Sequence, residues 1–202
     1  MTKIKLCGLS RPEDIETANR LRPDYVGFVF ARKSRRFVSP EQAARLKAIL
    51  DPEIQAVGVF VNESPEIVAE LLEQRVIDIA QLHGSEDKAY LRRMRELTKR
   101  PLIQAFRMAE AEKLLEAETS LADEILLDAG AGDGMTFDWT LLKKANRRYF
   151  LAGGLTPENV KEAIRRVHPY ALDVSSGIET DGKKDPIKMA AFVTAVREEI
   201  MK

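Results

Sequence analysis

Residues 149–179, YFLAGGLTPENVKEAIRRVHPYALDVSSGIE, contain one complete structural unit and the opening of the next. An apolar run, YFLAG, leads through paired glycines into a charged segment whose apolar residues recur at helical spacing, and a second apolar run, ALDVSS, follows. The spacing predicts strand, helix, strand. Both runs are nearly continuous in apolar residues and lack the alternation of a half-exposed sheet, which suits parallel strands buried on both faces. The segment TPENVKEAIRRV, from Thr156, carries a Pro-containing helix start and supplies the crossover that parallel neighbours need.

Outward from this stretch the same unit repeats. KIKLC, YVGFVF, AVGVFV, IDIAQL, PLIQAF and EILLDA are runs of the same kind, which makes eight in all. Helical patterns lie between them. SPEQAARLKAIL from Ser39 and SPEIVAELLEQR from Ser64 open with Ser-Pro, SEDKAYLRRMREL opens with a serine cap and early acids, and KDPIKMAAFVTAVREEI supplies a final helix. The run centres stand roughly 21 to 31 residues apart, enough for a strand, a helix and two loops. Eight such units close a barrel. An open doubly wound sheet is the alternative, but no G-x-G-x-x-G turn and no Pro/Gly/Ser-rich linker supports it. The expected fold is α/β, a single (β/α)8 TIM barrel over residues 1–202.

The composition narrows the function. Lys plus Arg and Asp plus Glu both total 32, so no net field draws the chain to nucleic acid or to anionic lipid. No apolar segment approaches the ~20 residues of a membrane span. The lone cysteine, Cys7, cannot form a disulfide within the chain, which favours a reducing compartment and a soluble, cytoplasmic protein. The outer helices single out no apolar face, so the oligomeric state is left open.

Barrel enzymes gather their chemistry where the strands end at their C-terminal side, and there the runs place Cys7, His83, Asp128, Gly153, Gly154, Asp173 and Ser175. The loops after runs seven and eight, GG and SSG, can turn backbone N–H groups and hydroxyls toward a phosphate. An isolated Gly-Gly can equally be a tight turn. Joined to Ser175, Ser176 and Gly177 at the position where such barrels hold phosphate, Gly153 and Gly154 are better read as phosphate-binding. Cys7 and Asp128 could face each other across the mouth as general base and general acid, although a lone Cys is also an ordinary core filler and DAGAGDG is rich in turn formers. ARKSRRFVSP places four basic side chains between Arg32 and Arg36, and arginine suits bidentate capture of a carboxylate. His83 is either a substrate-orienting group or a satisfied core imidazole. His168, in a helix-to-strand connection on the opposite face, receives no function.

Taken in order, KIKLCGL, VGFVF with KSRRFVSPEQA, VGVFVN, QLHGSE, LLDA with FDW, LAGGLTPENV and DVSSGIE with KD resemble the phosphoribosylanthranilate isomerases of tryptophan biosynthesis over essentially the whole chain. The resemblance implies a cofactor-free, metal-free enzyme for a small-molecule substrate. It would convert N-(5-phosphoribosyl)anthranilate into 1-(2-carboxyphenylamino)-1-deoxyribulose 5-phosphate by an Amadori rearrangement. It also implies Cys7 as the base, Asp128 as the acid and Arg36 as the grip on the anthranilate carboxylate, with His83 and Asp173 at the substrate. Relatives commonly have proline where this chain has Arg35. They also often carry GGTG before FDW, where this chain reads AGDGMTFDW with Asp133 in place of threonine. Such roles require the environments of Cys7 and Asp128 to bring both pKa values toward neutrality. The related histidine-pathway aminoaldose isomerases usually have aspartate in place of Cys7, so the thiol speaks against that substrate. A non-catalytic phosphate-binding barrel would need no facing acid and base.

Overall fold

The computed structural model describes residues 2–108, 111–129 and 139–201. Eight strands pair in parallel and in chain order: β1 Lys3–Cys7, β2 Tyr25–Val29, β3 Gln55–Phe60, β4 Ile79–Leu82, β5 Leu102–Arg107, β6 Glu124–Asp128, β7 Tyr149–Ala152 and β8 Ala171–Val174. β8 pairs with β1, with Lys5 opposite Asp173, so the sheet closes into a barrel. Each strand falls on one of the eight apolar runs. Both faces of the strands are covered, which is why those runs do not alternate.

Helices α1 Pro12–Leu21, α2 Pro40–Ala48, α3 Pro65–Glu73, α4 Lys88–Leu97, α5 Ala111–Glu118, α6 Val160–Val167 and α7 Pro186–Ile200 form the outer layer, and a 3₁₀ helix, Trp139–Lys144, takes the position between β6 and β7. Leu6, Phe28, Phe60, Leu82, Leu127 and Leu172 point outward from the strands and pack with Ile15, Val68, Leu72, Leu91 and Phe192 from the helices. Each such side chain, when fully buried, stabilises the fold by roughly 1.5–3 kcal/mol before entropy is counted. Inside the barrel, Tyr25, Val57, Ile79, Ile103, Leu126 and Phe150 form a separate apolar plug, with Cys7, Val29 and Val59 packed in a small cluster of their own. Among the described residues, no helix is long and apolar enough to cross a membrane.

Two helix starts differ from expectation. Asp87, not Ser85, caps α4, accepting the Tyr90 N–H at 2.9 Å. The Ser85 hydroxyl instead donates to Asn62 Oδ1 at 3.0 Å, a contact with the loop after β3 that no local pattern encodes. The Thr-Pro signal at Thr156 opens a turn, and α6 begins only at Val160, because the Asn159 side chain binds back to the loop through the Thr156 N–H and the Gly154 carbonyl. Ser39 and Ser64 cap α2 and α3 as their Ser-Pro signals predict. A short 3₁₀ turn, Ser176–Ile178, and a two-stranded hairpin, β9 Glu179–Thr180 with β10 Lys183–Lys184, follow β8 and are not evident in the periodicity.

Candidate active site

A cavity of about 430 Å³ opens at the C-terminal ends of the strands. Cys7, Arg36, His83, Asp128, Gly153, Gly154, Asp173, Ser175 and Ser176 all line it, so nine of the ten site residues named from the sequence meet in one place. The tenth, Gly177, stands behind the wall. A Cβ on Gly177 would lie 1.9 Å from the Leu155 carbonyl oxygen, so only glycine lets the loops after β7 and β8 approach this closely. Gly153 and Gly154 adopt φ of 95° and 64°, which turns the chain sharply after β7. Asp133 and the rest of AGDGMTFD lie outside the described residues.

Cys7 ends β1 and is 7% exposed. Burial pushes its thiol up from the ordinary value, and the nearby Asp173 carboxylate adds to this, while Lys5 and Lys184 work the other way without cancelling it. The expectation of a thiol drawn down toward neutrality is therefore corrected: withdrawal from water outweighs the two cations. Lys5 is two residues earlier on the same inward face, has no exposed surface and donates to Asp173 Oδ1 at 2.9 Å. Burial disfavours its ammonium, but Asp173 and Cys7 together hold it charged, above its ordinary pKa. Asp173 borders the cavity with one oxygen committed to this internal pair.

Asp128 ends β6, separated from β1 around the barrel by β7 and β8. His83 Nε2 stands 3.3 Å from Asp128 Oδ2, and Gln81 Nε2 stands 2.9 Å from His83 Nδ1. With the Gln81 amide donating to Nδ1, the imidazole proton resides on Nε2 and faces the carboxylate. A buried glutamine thus sets the tautomer of a half-buried histidine, which in turn orients Asp128.

Arg36 crosses directly over Gly8. That glycine has φ of 80°, and a Cβ there would lie 2.5 Å from Arg36 Cδ. The placement of the thiol immediately before a glycine therefore admits the arginine beside it. Arg36 donates to Glu179 through Nε at 2.6 Å and Nη2 at 2.9 Å, and Lys184 Nζ reaches the same carboxylate at 2.7 Å. Burial raises the Glu179 pKa, but Arg36 and Lys184 overcome it and hold the carboxyl down at about 2. Ser175 Oγ donates to the Cys7 carbonyl at 3.1 Å. Sequence reasoning missed Lys5, Gly8, Gln81, Glu179 and Lys184. Lys5 alone left a local sign, a cation within an otherwise buried strand.

A larger hollow of about 620 Å³ opens beside Tyr149, His168 and Tyr170, which lie at the opposite end of the barrel. Its arginines are committed: Arg147 to backbone carbonyls, Arg148 to Glu124, Arg165 to Glu199 and Arg166 to Glu162. Among the described residues, no three His, Cys, Asp or Glu side chains are grouped so as to hold a metal ion.

The family model for N-(5′-phosphoribosyl)anthranilate isomerase matches residues 4–195. The chain belongs to that isomerase family. It is 43% identical to the N-(5′-phosphoribosyl)anthranilate isomerase of Endomicrobium trichonymphae over 202 residues, covering 98% of this chain and 99% of that protein. It is 46% identical to the isomerase of Thermoanaerobacter sp. (strain X514), covering 98% of each. The crystal structure of the phosphoribosylanthranilate isomerase from Thermotoga maritima superposes with a TM-score of 0.90 at 37% identity, covering 98% of this chain and all of that one. A phosphoribosylanthranilate isomerase crystallised with reduced 1-(o-carboxyphenylamino)-1-deoxyribulose 5-phosphate gives 0.87 at the same identity, again covering 98% and 100%. The closed barrel and the family expected from the sequence are thus the ones found.

Proposed function

We propose that this cavity carries out the family's isomerisation of N-(5′-phosphoribosyl)anthranilate with Cys7 as general base and Asp128 as general acid. The supporting observation is that a thiol from β1 and a histidine-oriented carboxyl from β6 line a single cavity in a chain that the family model matches over residues 4–195. The ligand held by the solved relative has a carboxylate, a polyol and a phosphate. Arg36 suits the carboxylate, and the loops bearing Gly153, Gly154, Ser175 and Ser176 suit the phosphate.

In the first step protonated Asp128 gives its proton to the furanose ring oxygen. The C1′–O bond breaks, the anilino nitrogen lone pair fills the gap, and a ring-opened iminium forms. The iminium acidifies C2′. Cys7 thiolate takes the C2′ proton, and the electrons of that C–H bond form the C1′=C2′ bond of an enolamine, which tautomerises to the aminoketone. No electrons leave the substrate, since C1′ is reduced as C2′ is oxidised. Lys5 and Lys184 favour the thiolate that burial opposes. His83 keeps Asp128 aimed at the ring oxygen.

Mixing the chain with N-(5′-phosphoribosyl)anthranilate generated in situ tests this directly. The anthranilate-type fluorescence is expected to decay rapidly, and the histidine-pathway aminoaldose to turn over far more slowly. Comparable rates on both substrates would overturn the narrow assignment.

A further inference from the structure

The proposed steps give no role to Glu179, which follows β8 and gathers Arg35, Arg36 and Lys184 around its carboxylate. Glu179 is 8% exposed and accepts from Arg35 Nη2 at 2.6 Å as well as from Arg36 and Lys184. Three cations on one carboxylate leave the cluster with net positive charge, so it still attracts a second carboxylate. The two N–H groups that Arg36 gives to Glu179 fix the plane of its guanidinium at the cavity wall. Lys184 carries the connection onward, donating to the Ser175 carbonyl at 2.8 Å and to Ser175 Oγ at 3.2 Å. Ser175 in turn bonds the Cys7 carbonyl. One buried carboxylate thereby joins the loop after β2, the β9–β10 hairpin and the strand end that bears the thiol.

We propose that Glu179 is the positioning residue for substrate selection: by clamping Arg36 it preorganises the grip on the aromatic carboxylate. The inference rests on the assignment of that carboxylate to Arg36. An unclamped arginine would lose several rotatable bonds on meeting the substrate, and that entropy cost would reduce affinity for a carboxylate-bearing aglycone alone. Removing the clamp should therefore weaken discrimination between two aglycones more than it weakens chemistry.

The 202-residue chain is assayed with N-(5-phosphoribosyl)anthranilate and with its aniline counterpart, which lacks the carboxylate. Glu179→Gln is expected to lower the anthranilate-over-aniline ratio of kcat/KM by about tenfold, as loss of an outer partner of a binding group does, through KM with kcat little changed. That variant leaves the Lys184 ammonium buried without a counter-charge, so Glu179→Gln/Lys184→Met is measured beside it and is read in its place if the single variant does not fold, by the ratio alone, because loss of the Lys184 cation disfavours the thiolate and slows both substrates alike. Equal losses on both substrates would mark a merely structural role and overturn the proposal. Arg36→Met separates the two possible failures. If it collapses the ratio while the Glu179 variants preserve it, the clamp is wrong and the arginine's role stands. If Arg36→Met preserves the ratio, the carboxylate assignment falls and the clamp with it.

Discussion

Cys7, the proposed base, has a thiol whose ionisation its own burial resists. The thiol lies above its ordinary value of 9.0, because loss of water outweighs the help of Lys5 and Lys184. An acid group raised in this way is protonated at neutral pH, and only a small fraction of free enzyme holds the reactive thiolate. Alkylation of Cys7 by iodoacetamide is therefore expected to accelerate with pH through the neutral and mildly alkaline range, following the thiolate fraction. A profile flat from pH 7 upward would contradict this. The identity and end-of-strand position of Cys7 and Asp128 were legible in the sequence, but of the two cations that modulate the thiol only Lys5 left a local sign. Lys184 lies in a hairpin without periodicity, and Glu179 meets Arg36 across 143 residues of chain. Contacts of that span leave no local pattern.

At the scale of elements, strands were read well because burial on both faces leaves uninterrupted apolar runs. Helix starts were read well where one residue decides them. Ser39 and Ser64 accept the backbone N–H three residues on, as an N-cap should. The α4 start was missed because two good capping residues stand close together and a distant one, Asn62, takes Ser85. This yields a paired prediction: Asp87→Ala should lower the unfolding free energy by about 1 kcal/mol, the usual worth of a cap, while Ser85→Ala should change it less. Urea denaturation of the two variants decides between them. A larger loss at Ser85 would return the cap to that residue.

For the molecule as a whole, the barrel closes where the first strand meets the last. Lys5 and Asp173 stand opposite each other in that β1–β8 seam, and both are withdrawn from water. Removing one partner leaves an uncompensated buried charge, which typically costs about 3–5 kcal/mol. Asp173→Ala should lose about that much stability in chemical denaturation, and a loss below 1 kcal/mol would show that the seam does not depend on the pair. The seam also sets the site, since Lys5 and Asp173 border the strand end that carries Cys7.

Whether Cys7 takes the C2′ proton is decided by single-turnover fluorescence decay of N-(5′-phosphoribosyl)anthranilate with wild type and with Cys7→Ala, alongside binding of the reduced product analogue. In Cys7→Ala the chemical step is expected to slow by about 10²–10⁴-fold, the usual worth of a general base, with analogue affinity retained. Near-wild-type turnover by Cys7→Ala would contradict it and remove the thiol from the mechanism.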